Sequence, residues 1–372
     1  MNPLISQWKE EQGELTFTLS QTHKSVANGI RRTILSDIPI FVFKTFPYEE
    51  TQIQIMENTT RLNNEIIKQR LSCIPIHIKD TTRDMSNYIL EINVENKTSN
   101  VLECTTEHFK IKNIQTNTYL SKEEQKLIFP PYSPIWNTTE YYTLLVSLKP
   151  RISDEIPGEK LFLTCPFTLS TCKEDGMFNV VSTCSYGFTV DPKLQETELA
   201  KSIKRWKEEK MSEEEIADNS RNWMFLEGLR YTKKDSYDFV IETLGIYENG
   251  ELVHKACDIL MEKLNRLIEI SQTQELEIKK SINTLPNSFD IVLMNEDYTI
   301  GYLLQDLFYE EYVIKNPKVQ YCGFKKFHPH DNYSILRVSY IENVSPETIH
   351  LDLQKTFSDG ISIFKKIQQQ IF

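Results

Sequence analysis

The stretch ANGIRRTILSDIP, Ala27 to Pro39, decides the fold of this chain because it describes a helix with one apolar side and a fixed end. Apolar residues recur at every fourth position, as on one face of an α-helix: Val26, Ile30 and Ile34. Pro39 cannot continue the helix. Arg31 and Arg32 lie off the apolar face, so the pattern predicts a helix that buries one side and presents two guanidinium groups elsewhere.

The neighbouring segments extend this pattern. LTFTLS (15–20) alternates apolar and polar residues, as a β-strand does. NNEIIKQRLSCIP (63–75) is predicted to be a shorter helix that again stops at an Ile-Pro step, with Arg70 near its end. From about residue 77 to residue 160, short strand-like runs alternate with turns rich in Asn, Thr and Pro, which predicts an inserted β-rich subdomain.

The second half of the sequence begins a similar series. Residues 193–218 are rich in charge and predict a solvated helix or a helical linker. A long amphipathic helix follows from about Leu252 to Gln272, and residues 273–287 read as a connector. After it come a strand (FDIVLMN, 289–295), a helix that starts near Thr299, two more strands and a final helix from Pro346 to Phe372.

The two short helices are similar in sequence. Ser25-Val26-Ala27 matches Thr299-Ile300-Gly301, each with a hydroxyl residue as a candidate cap, and Ile30 and Ile34 match Leu304 and Phe308. Neither half can bury its apolar faces alone, so we expect the halves to pack against each other as in a dimer. The residues predicted to form this internal interface are Val26, Ile30, Ile34, Ile300, Leu304, Leu307, Phe357 and Phe364.

Composition and charge restrict the possible functions. A length of 372 residues allows two or three domains, and a net charge of -11 disfavours broad binding to a nucleic-acid backbone. The N-terminus lacks a secretory leader, and the apolar runs are too short to cross a bilayer. Seven scattered cysteines without a CxxC pair are typical of reduced thiols in an intracellular protein. Phosphate-loop, GxSxG and HExxH motifs are missing, so no catalytic function is predicted.

Two pairs of motifs point to a family. ANGIRRTILSDIP followed by NEIIKQRLSCIPI resembles the α-like assembly subunits of cellular RNA polymerases, such as the third-largest subunit of RNA polymerase II. NEDYTIGYLLQDLF followed by VQYCGFKKFHPHDNYSILRVSY resembles the small partner of that subunit, the eleventh subunit. The chain is therefore similar to the two partners fused head to tail, as in polymerases of large nucleocytoplasmic DNA viruses.

The resemblance implies an α+β fold in which two dimerisation units pair within one chain around an inserted β-rich subdomain. It places the large-partner dimerisation domain at 1–48 and 161–272, the inserted subdomain at 49–160, the linker at 273–287 and the small-partner dimerisation domain at 288–372.

The implied function is that of a non-catalytic scaffold for the largest and second-largest polymerase subunits and for small polymerase subunits. DNA would be met only through the complex, no membrane is involved, and the location would be the virion and host cytoplasm if the protein is viral, or otherwise the nucleus or cytoplasm. The front part has Arg31 and Arg32 at the positions where the back part has Gln305 and Asp306. We therefore expect the front part to hold the large subunits more strongly. The predicted partner-binding residues are Asn28, Arg31, Arg32, Leu35 and Arg70.

Metal sites and other functions are weaker alternatives. The cellular large partner often has a zinc or iron–sulfur site in its inserted domain, but the matching region here offers only Cys104, so no metal or other cofactor is expected. Cys165, Cys172 and Cys184 lack the spacing of a zinc site and are predicted to be packing thiols.

Two other functions remain open at this point. A metal-dependent hydrolase would use His328, His330 and Asp331, although the His-Pro step at 328–329 is more simply a turn. A free-standing adaptor would keep the fold without the polymerase.

Overall fold

The computed structural model describes residues 1–133, 139–153, 155–282 and 285–371. Its helices are α1 (Lys24–Ser36), α2 (Asn64–Ser72), α3 (Lys122–Ile128), α4 (Pro192–Glu208), α5 (Glu213–Phe225), α6 (Asn249–Gln272), α7 (Tyr298–Tyr309) and α8 (Pro346–Gln368). Its strands are β1 (Leu4–Glu11), β2 (Glu14–Ser20), β3 (Ile40–Val42), β4 (Gln54–Asn58), β5 (Tyr88–Glu95), β6 (Leu102–Thr105), β7 (Lys110–Asn113), β8 (Thr118–Tyr119), β9 (Leu144–Leu148), β10 (Lys160–Pro166), β11 (Thr168–Ser170), β12 (Val181–Val190), β13 (Thr232–Thr243), β14 (Ile278–Lys280), β15 (Ser288–Met294), β16 (Val319–Lys325) and β17 (Tyr333–Tyr340).

The chain forms two compact units. The first, called the pairing unit, consists of Met1–Ile34, Thr183–Glu242 and Asn249–Phe372. The second, called the inserted unit, consists of Leu35–Ser182 and Thr243–Glu248. The fold is α+β, as the sequence predicts, because both units combine helices with sheets.

The pairing unit contains two four-stranded sheets. The front sheet has the strand order β1-β2-β13-β12, and the back sheet has the order β14-β15-β17-β16. We call residues 1–34, 183–242 and 249–272 the front half, since they carry the front sheet with α1 and α6. Residues 288–371 are the back half, with most of the back sheet and with α7 and α8. The back sheet is antiparallel throughout.

Alternation along β2 explains how the front sheet forms. Leu15, Phe17 and Leu19 are buried on one face of the strand, which is the period-two pattern of a half-buried strand. β2 pairs antiparallel with β13, where Phe17 lies opposite Phe239. The two rings stack with their centroids 4.8 Å apart. One face of the sheet is thus fixed as apolar by the sequence.

Helix α1 confirms the prediction made from its apolar spacing. It ends at Ser36, three residues before Pro39, as expected for a chain that has to leave the helical conformation ahead of a proline. Its buried residues include small ones that let neighbours approach, namely Ser25, Ala27 and Gly29, beside the predicted Val26, Ile30 and Ile34.

The segment predicted as a connector, 273–287, is partly structured. Within it, β14 pairs antiparallel with β15, so that Ile278 lies opposite Ile291. Leu276, just before β14, is buried. The chain therefore enters the back sheet before the predicted boundary at residue 288. Residues 283 and 284 of this segment lie outside the described residues, as does Phe372 at the end of the last predicted helix.

The inserted unit is wider than the subdomain predicted at 49–160. Its five-stranded sheet has the order β4-β10-β5-β7-β8, beside the two-stranded pairs β3 with β11 and β6 with β9. Phe41 and Phe43 belong to its hydrophobic core together with Phe167. Because these aromatic side chains must be buried with that core, the flanking segments fold with the insert instead of with the pairing unit.

The charge-rich stretch predicted at 193–218 forms the two helices α4 and α5. Asp191 caps α4, and Ser212 and Glu215 make a capping box at the start of α5. Trp206 and Trp223 are buried, whereas the charged side chains are mostly exposed. The two tryptophans thus anchor a segment that otherwise faces solvent.

Candidate functional site

The main candidate surface is the contact between α6 of the front half and α8 of the back half. The two helices pack along each other, and they run in opposite directions, because the end of α6 meets the start of α8 and an earlier turn of α6 meets the end of α8. Near one end, the Ser271 hydroxyl lies 3.0 Å from His350 Nδ1 and accepts a hydrogen bond from Gln354. Near the other end, Gln368 Nε2 donates to Asp258 Oδ1 at 2.7 Å. Polar contacts at both ends therefore fix the register of an apolar seam.

Gly360 lies at the centre of this seam. A Cβ atom at this position would be 2.9 Å from Leu264 Cδ1 on α6 and 3.3 Å from Leu307 Cδ1 on α7. Carbon atoms in ordinary contact are about 3.5–4.0 Å apart. The three helices can approach this closely because residue 360 has no side chain.

A second contact joins α1 with α7. Arg32 Nε donates to Thr299 Oγ1 at 2.8 Å, and Arg32 Nη2 lies 3.2 Å from Asp297 Oδ2. At the opposite end, His23 Nε2 lies 3.3 Å from Glu310 Oε2. Arg32 reaches the start of α7 and His23 reaches its end, so the two helices run past each other in opposite directions.

The polar groups around Glu310 favour its charged form. Burial raises the pKa of this carboxyl, but the hydrogen bond and charge of Lys315 and the neighbouring His23 outweigh burial and hold the pKa below its usual value. Near the start of α8, burial lowers the pKa of His350, which favours a neutral imidazole beside the Ser271 hydroxyl.

The start of α7 differs from the sequence prediction. Thr299 was expected to be the capping hydroxyl, but the cap is Asp297, whose carboxylate accepts a hydrogen bond from the Thr299 backbone N–H. A carboxylate is favoured there because it also faces the positive end of the helix. The Thr299 hydroxyl is instead occupied by Arg32. The predicted cap therefore serves the contact between the two halves.

The residues predicted for the internal interface are all buried in the pairing unit. Leu307 approaches Gly360 on α8, a contact within the back half. For Leu307, as for the seven others, burial agrees with the predicted role, and the partners across the interface stay a prediction. The seven others are Val26, Ile30, Ile34, Ile300, Leu304, Phe357 and Phe364.

The chain termini add a contact that the sequence reasoning missed. β1 pairs with β2 at the edge of the front sheet. The side chain of Gln370, beyond α8, accepts from the Ile5 backbone N–H at 2.9 Å and donates to the Pro3 carbonyl at 3.0 Å. Lys366 donates to Asn2. Neither periodicity nor a motif in the sequence indicates that the two ends of the chain meet.

The predicted partner-binding residues are divided between the two units. Asn28 accepts two hydrogen bonds from the Arg31 guanidinium, at 3.1 and 2.9 Å, so these two act as a pair on α1. Arg32 is engaged with the back half. Leu35 is half-buried at the end of α1. Arg70 belongs to the inserted unit and donates to the Leu144 carbonyl at 2.9 Å.

The alternative metal site is arranged as a turn. Asp331 accepts from the His328 backbone N–H at 3.0 Å, and His328 Nδ1 accepts from the His330 backbone N–H at 3.2 Å. These bonds occupy groups that a metal would need. Among the described residues, no group of three or more His, Cys, Asp or Glu side chains is placed to hold a metal ion.

The cysteines predicted to be packing thiols are spread over both units. Burial raises the pKa of Cys165 and of Cys184 to about 12, with Arg31 acting weakly in the opposite direction on Cys184. Cys104, in the inserted unit, has its pKa raised to about 12 by burial as well. Thiols of this kind are poor ligands and poor nucleophiles at neutral pH.

In the described part of the chain, no helix has the length and apolar character needed to span a membrane.

Comparison with known proteins finds two matching regions in the chain, in agreement with its two halves. The RNA polymerase Rpb3/Rpb11 dimerisation domain family matches the chain twice, over residues 16–264 and over residues 288–370. The DNA-directed RNA polymerase subunit Rpo3 of Pyrococcus furiosus is 26% identical over 290 residues, which cover 72% of this chain and 96% of that protein. Rpo3 of Methanosphaera stadtmanae is 22% identical over 303 residues, or 74% of this chain and 100% of that protein. The subunit rpc19 of RNA polymerases I and III of Dictyostelium discoideum is 30% identical over 91 residues, 24% of this chain and 68% of that protein.

Proposed function

The chain belongs to the RNA polymerase Rpb3/Rpb11 dimerisation-domain family, and we propose that it acts as an assembly subunit that joins both partners of that dimer in one polypeptide. In this proposal the paired halves form a non-catalytic platform for the two largest subunits of a DNA-directed RNA polymerase, and the catalytic residues belong to those subunits. The chain would approach DNA only through the complex.

The observation that carries the proposal is the packing of α6 against α8. Most of α6 lies in the first region that matches the dimerisation family, and α8 lies in the second. The two helices therefore join the two matched regions inside one compact unit. Because the chain forms the dimer from its own two halves, dimerisation needs no second chain. This supports a role as the first platform on which the polymerase assembles.

Cutting the connector is expected to leave the two halves together. The connector gives each half an effective concentration of about a millimolar for the other while it is intact, and the α6–α8 seam then holds the halves after the cut. A protease site inserted after Ile282, which is fully exposed, allows the cut to be made in the folded protein. Size-exclusion chromatography should show both fragments in one peak, and two separately eluting fragments would refute the pairing.

The partner-binding role is best tested on Arg31. Arg31→Glu keeps the contacts of Arg32 with the back half but places a negative charge beside Asn28, at the surface proposed to hold the large subunits. Planar guanidinium groups donate to carboxylates and carbonyls at several points, which glutamate cannot do. We expect copurification of the two largest subunits to fall by about tenfold, a loss of about 1.4 kcal/mol, while thermal unfolding of the isolated chain stays near that of the wild type.

Lys24→Glu is the matched control for this experiment. It makes the same change of charge on the same helix, at an exposed position. Equal loss of the large subunits in both variants would show that the overall charge of α1 matters and Arg31 does not. Unchanged copurification with Arg31→Glu would contradict the proposed contact.

The remaining proposals concern the binding partners of the chain and its location. A pull-down of the tagged chain from its source cell, followed by mass spectrometry, should recover the two largest subunits with small polymerase subunits. A free-standing adaptor would recover other proteins instead, and a hydrolase using His328, His330 and Asp331 would carry stoichiometric metal. The proposed viral location follows from the fused order of the two halves, and detection of the chain in purified virions would test it.

A further inference from the structure

The charged residues on α1 and α7 differ between the halves in a way that bears on which halves can pair. Ser25 matches Thr299, so that Arg32 matches Asp306. By the same spacing, His23 matches Asp297, each lying two residues before the matched hydroxyl residue. In the folded chain Arg32 contacts Asp297 and Thr299, and His23 contacts Glu310. Every one of these contacts joins a front-half donor to a back-half acceptor.

We propose that these residues select the partner of each half, so that a front half accepts a back half and neither half accepts a second copy of itself. The selection surface consists of His23 and Arg32 on the front half and Asp297, Asp306 and Glu310 on the back half. The first set carries only groups that can be cationic, and the second carries only carboxylates.

Pairing of two back halves would oppose like charges. If a second back half took the place of the front half, Asp306 would occupy the position of Arg32 and would face Asp297 of the other copy. Asp297 would likewise occupy the position of His23 and would face Glu310. Carboxylates brought together at an interface repel strongly, and the two-fold arrangement would repeat each clash.

Pairing of two front halves would lose the same contacts. Arg32 would face His23 and Ser25 of the second copy, the residues that match Asp297 and Thr299. His23 would face Ser36 at the end of α1, which matches Glu310. None of these matched residues is a carboxylate that could receive the guanidinium. Hydrophobic packing has no sign, so apolar faces alone would allow either half to pair with a second copy of itself. The charged residues therefore distinguish the front–back pair from pairs of identical halves.

The selection can be reversed by changing one charge on the back half. Asp297→Lys would place an ammonium group against Arg32 in the native pair and against Asp306 and Glu310 in a pair of back halves. The variant is made in the full chain with the cleavable connector, the folded protein is cut, and native mass spectrometry counts the pairs. We expect pairs of back halves to increase by about tenfold over the wild type, in which front–back pairs dominate.

Three further variants separate charge from loss of the helix cap. Asp297→Asn keeps the cap without the charge, and should lie between the wild type and Asp297→Lys. Arg32→Glu combined with Asp297→Lys restores opposite charges across the native contact, and should return the front–back pair even though the cap is still lost. Glu269→Lys makes an equal change of charge at an exposed position of α6, and should behave as the wild type.

Two outcomes would overturn the proposal. One is a fraction of back–back pairs in Asp297→Lys equal to that in Glu269→Lys, and the other is failure of the double variant to recover front–back pairs. If Asp297→Lys does not fold, Arg32→Glu alone gives an independent test from the front half. Its glutamate would face His23 in a pair of front halves, so such pairs should increase, and their absence would count against the proposal.

Discussion

Gly360→Leu is expected to break the contact between the two halves and to lower the stability of the pairing unit by about 3 kcal/mol. Even a Cβ atom at this position would lie 2.9 Å from Leu264 Cδ1 and 3.3 Å from Leu307 Cδ1. Leu264 is fully buried and Leu307 nearly so, so neither side chain has space into which to move. A leucine can enter only if α8 moves away from α6.

The loss should appear in two measurements. Thermal unfolding should shift down by about 6–12 °C, since 1 kcal/mol corresponds to about 2–4 °C in a domain of this size. After the connector is cut at Ile282, the fragments of Gly360→Leu should elute separately, unlike those of the wild-type chain. Gly187→Leu is the control, because no atom beyond the adjacent residues of the chain lies within 4 Å of a Cβ at that position. Cut fragments of Gly360→Leu that stay together would contradict this expectation and show that other contacts, such as Arg32 with Asp297 and β14 with β15, hold the halves without the seam.

Gly301→Ala is expected to destabilise the back half by about 2 kcal/mol, opposite in sign to the usual effect of this change. Replacing glycine by alanine within a helix ordinarily stabilises by about 0.5–1 kcal/mol. In α7, however, a Cβ at residue 301 would lie 2.1–2.3 Å from three atoms of the Phe324 ring. That ring is held by edge contacts with Tyr298 and Tyr302, so its displacement disturbs the packing of α7 on β16.

The control lies on the corresponding helix of the front half. A Cβ at Gly29 in α1 would be 3.9 Å from Leu260 Cδ1, an ordinary contact. Gly29→Ala should therefore stabilise the chain by about 0.5–1 kcal/mol. Thermal or denaturant unfolding of the two variants should give shifts of opposite sign. A stabilising effect of Gly301→Ala would mean that Phe324 moves aside at little cost.

Most of the secondary structure around the site could be predicted because its signals are local. The four-residue spacing of Val26, Ile30 and Ile34 and the proline at Pro39 determine α1 without reference to any distant residue. The restart of the same pattern after residue 288 predicts a second unit of the same kind. The boundaries of the insert were less accurate, because Phe41 and Phe43 join a core assembled from distant strands.

Three features of the site depend on contacts between distant parts of the chain, and the sequence reasoning did not find them. Arg32 was predicted to face a partner protein, and it contacts Asp297 and Thr299 of the back half. Gly360 gave no signal, since a glycine within a helical pattern has several explanations. Gln370 contacts Ile5 from the opposite end of the chain.

By itself the sequence determined most of the helices and strands around the site, the repeat of one unit and the family, because each depends on residues close together in the chain or on a quoted motif. The tertiary structure alone decided which charged groups meet and where helices approach too closely for a side chain. Those facts depend on residues far apart in the chain, up to 265 positions for Arg32 and Asp297, whose distance in space is set by the packing of the pairing unit and leaves no periodic trace along the chain.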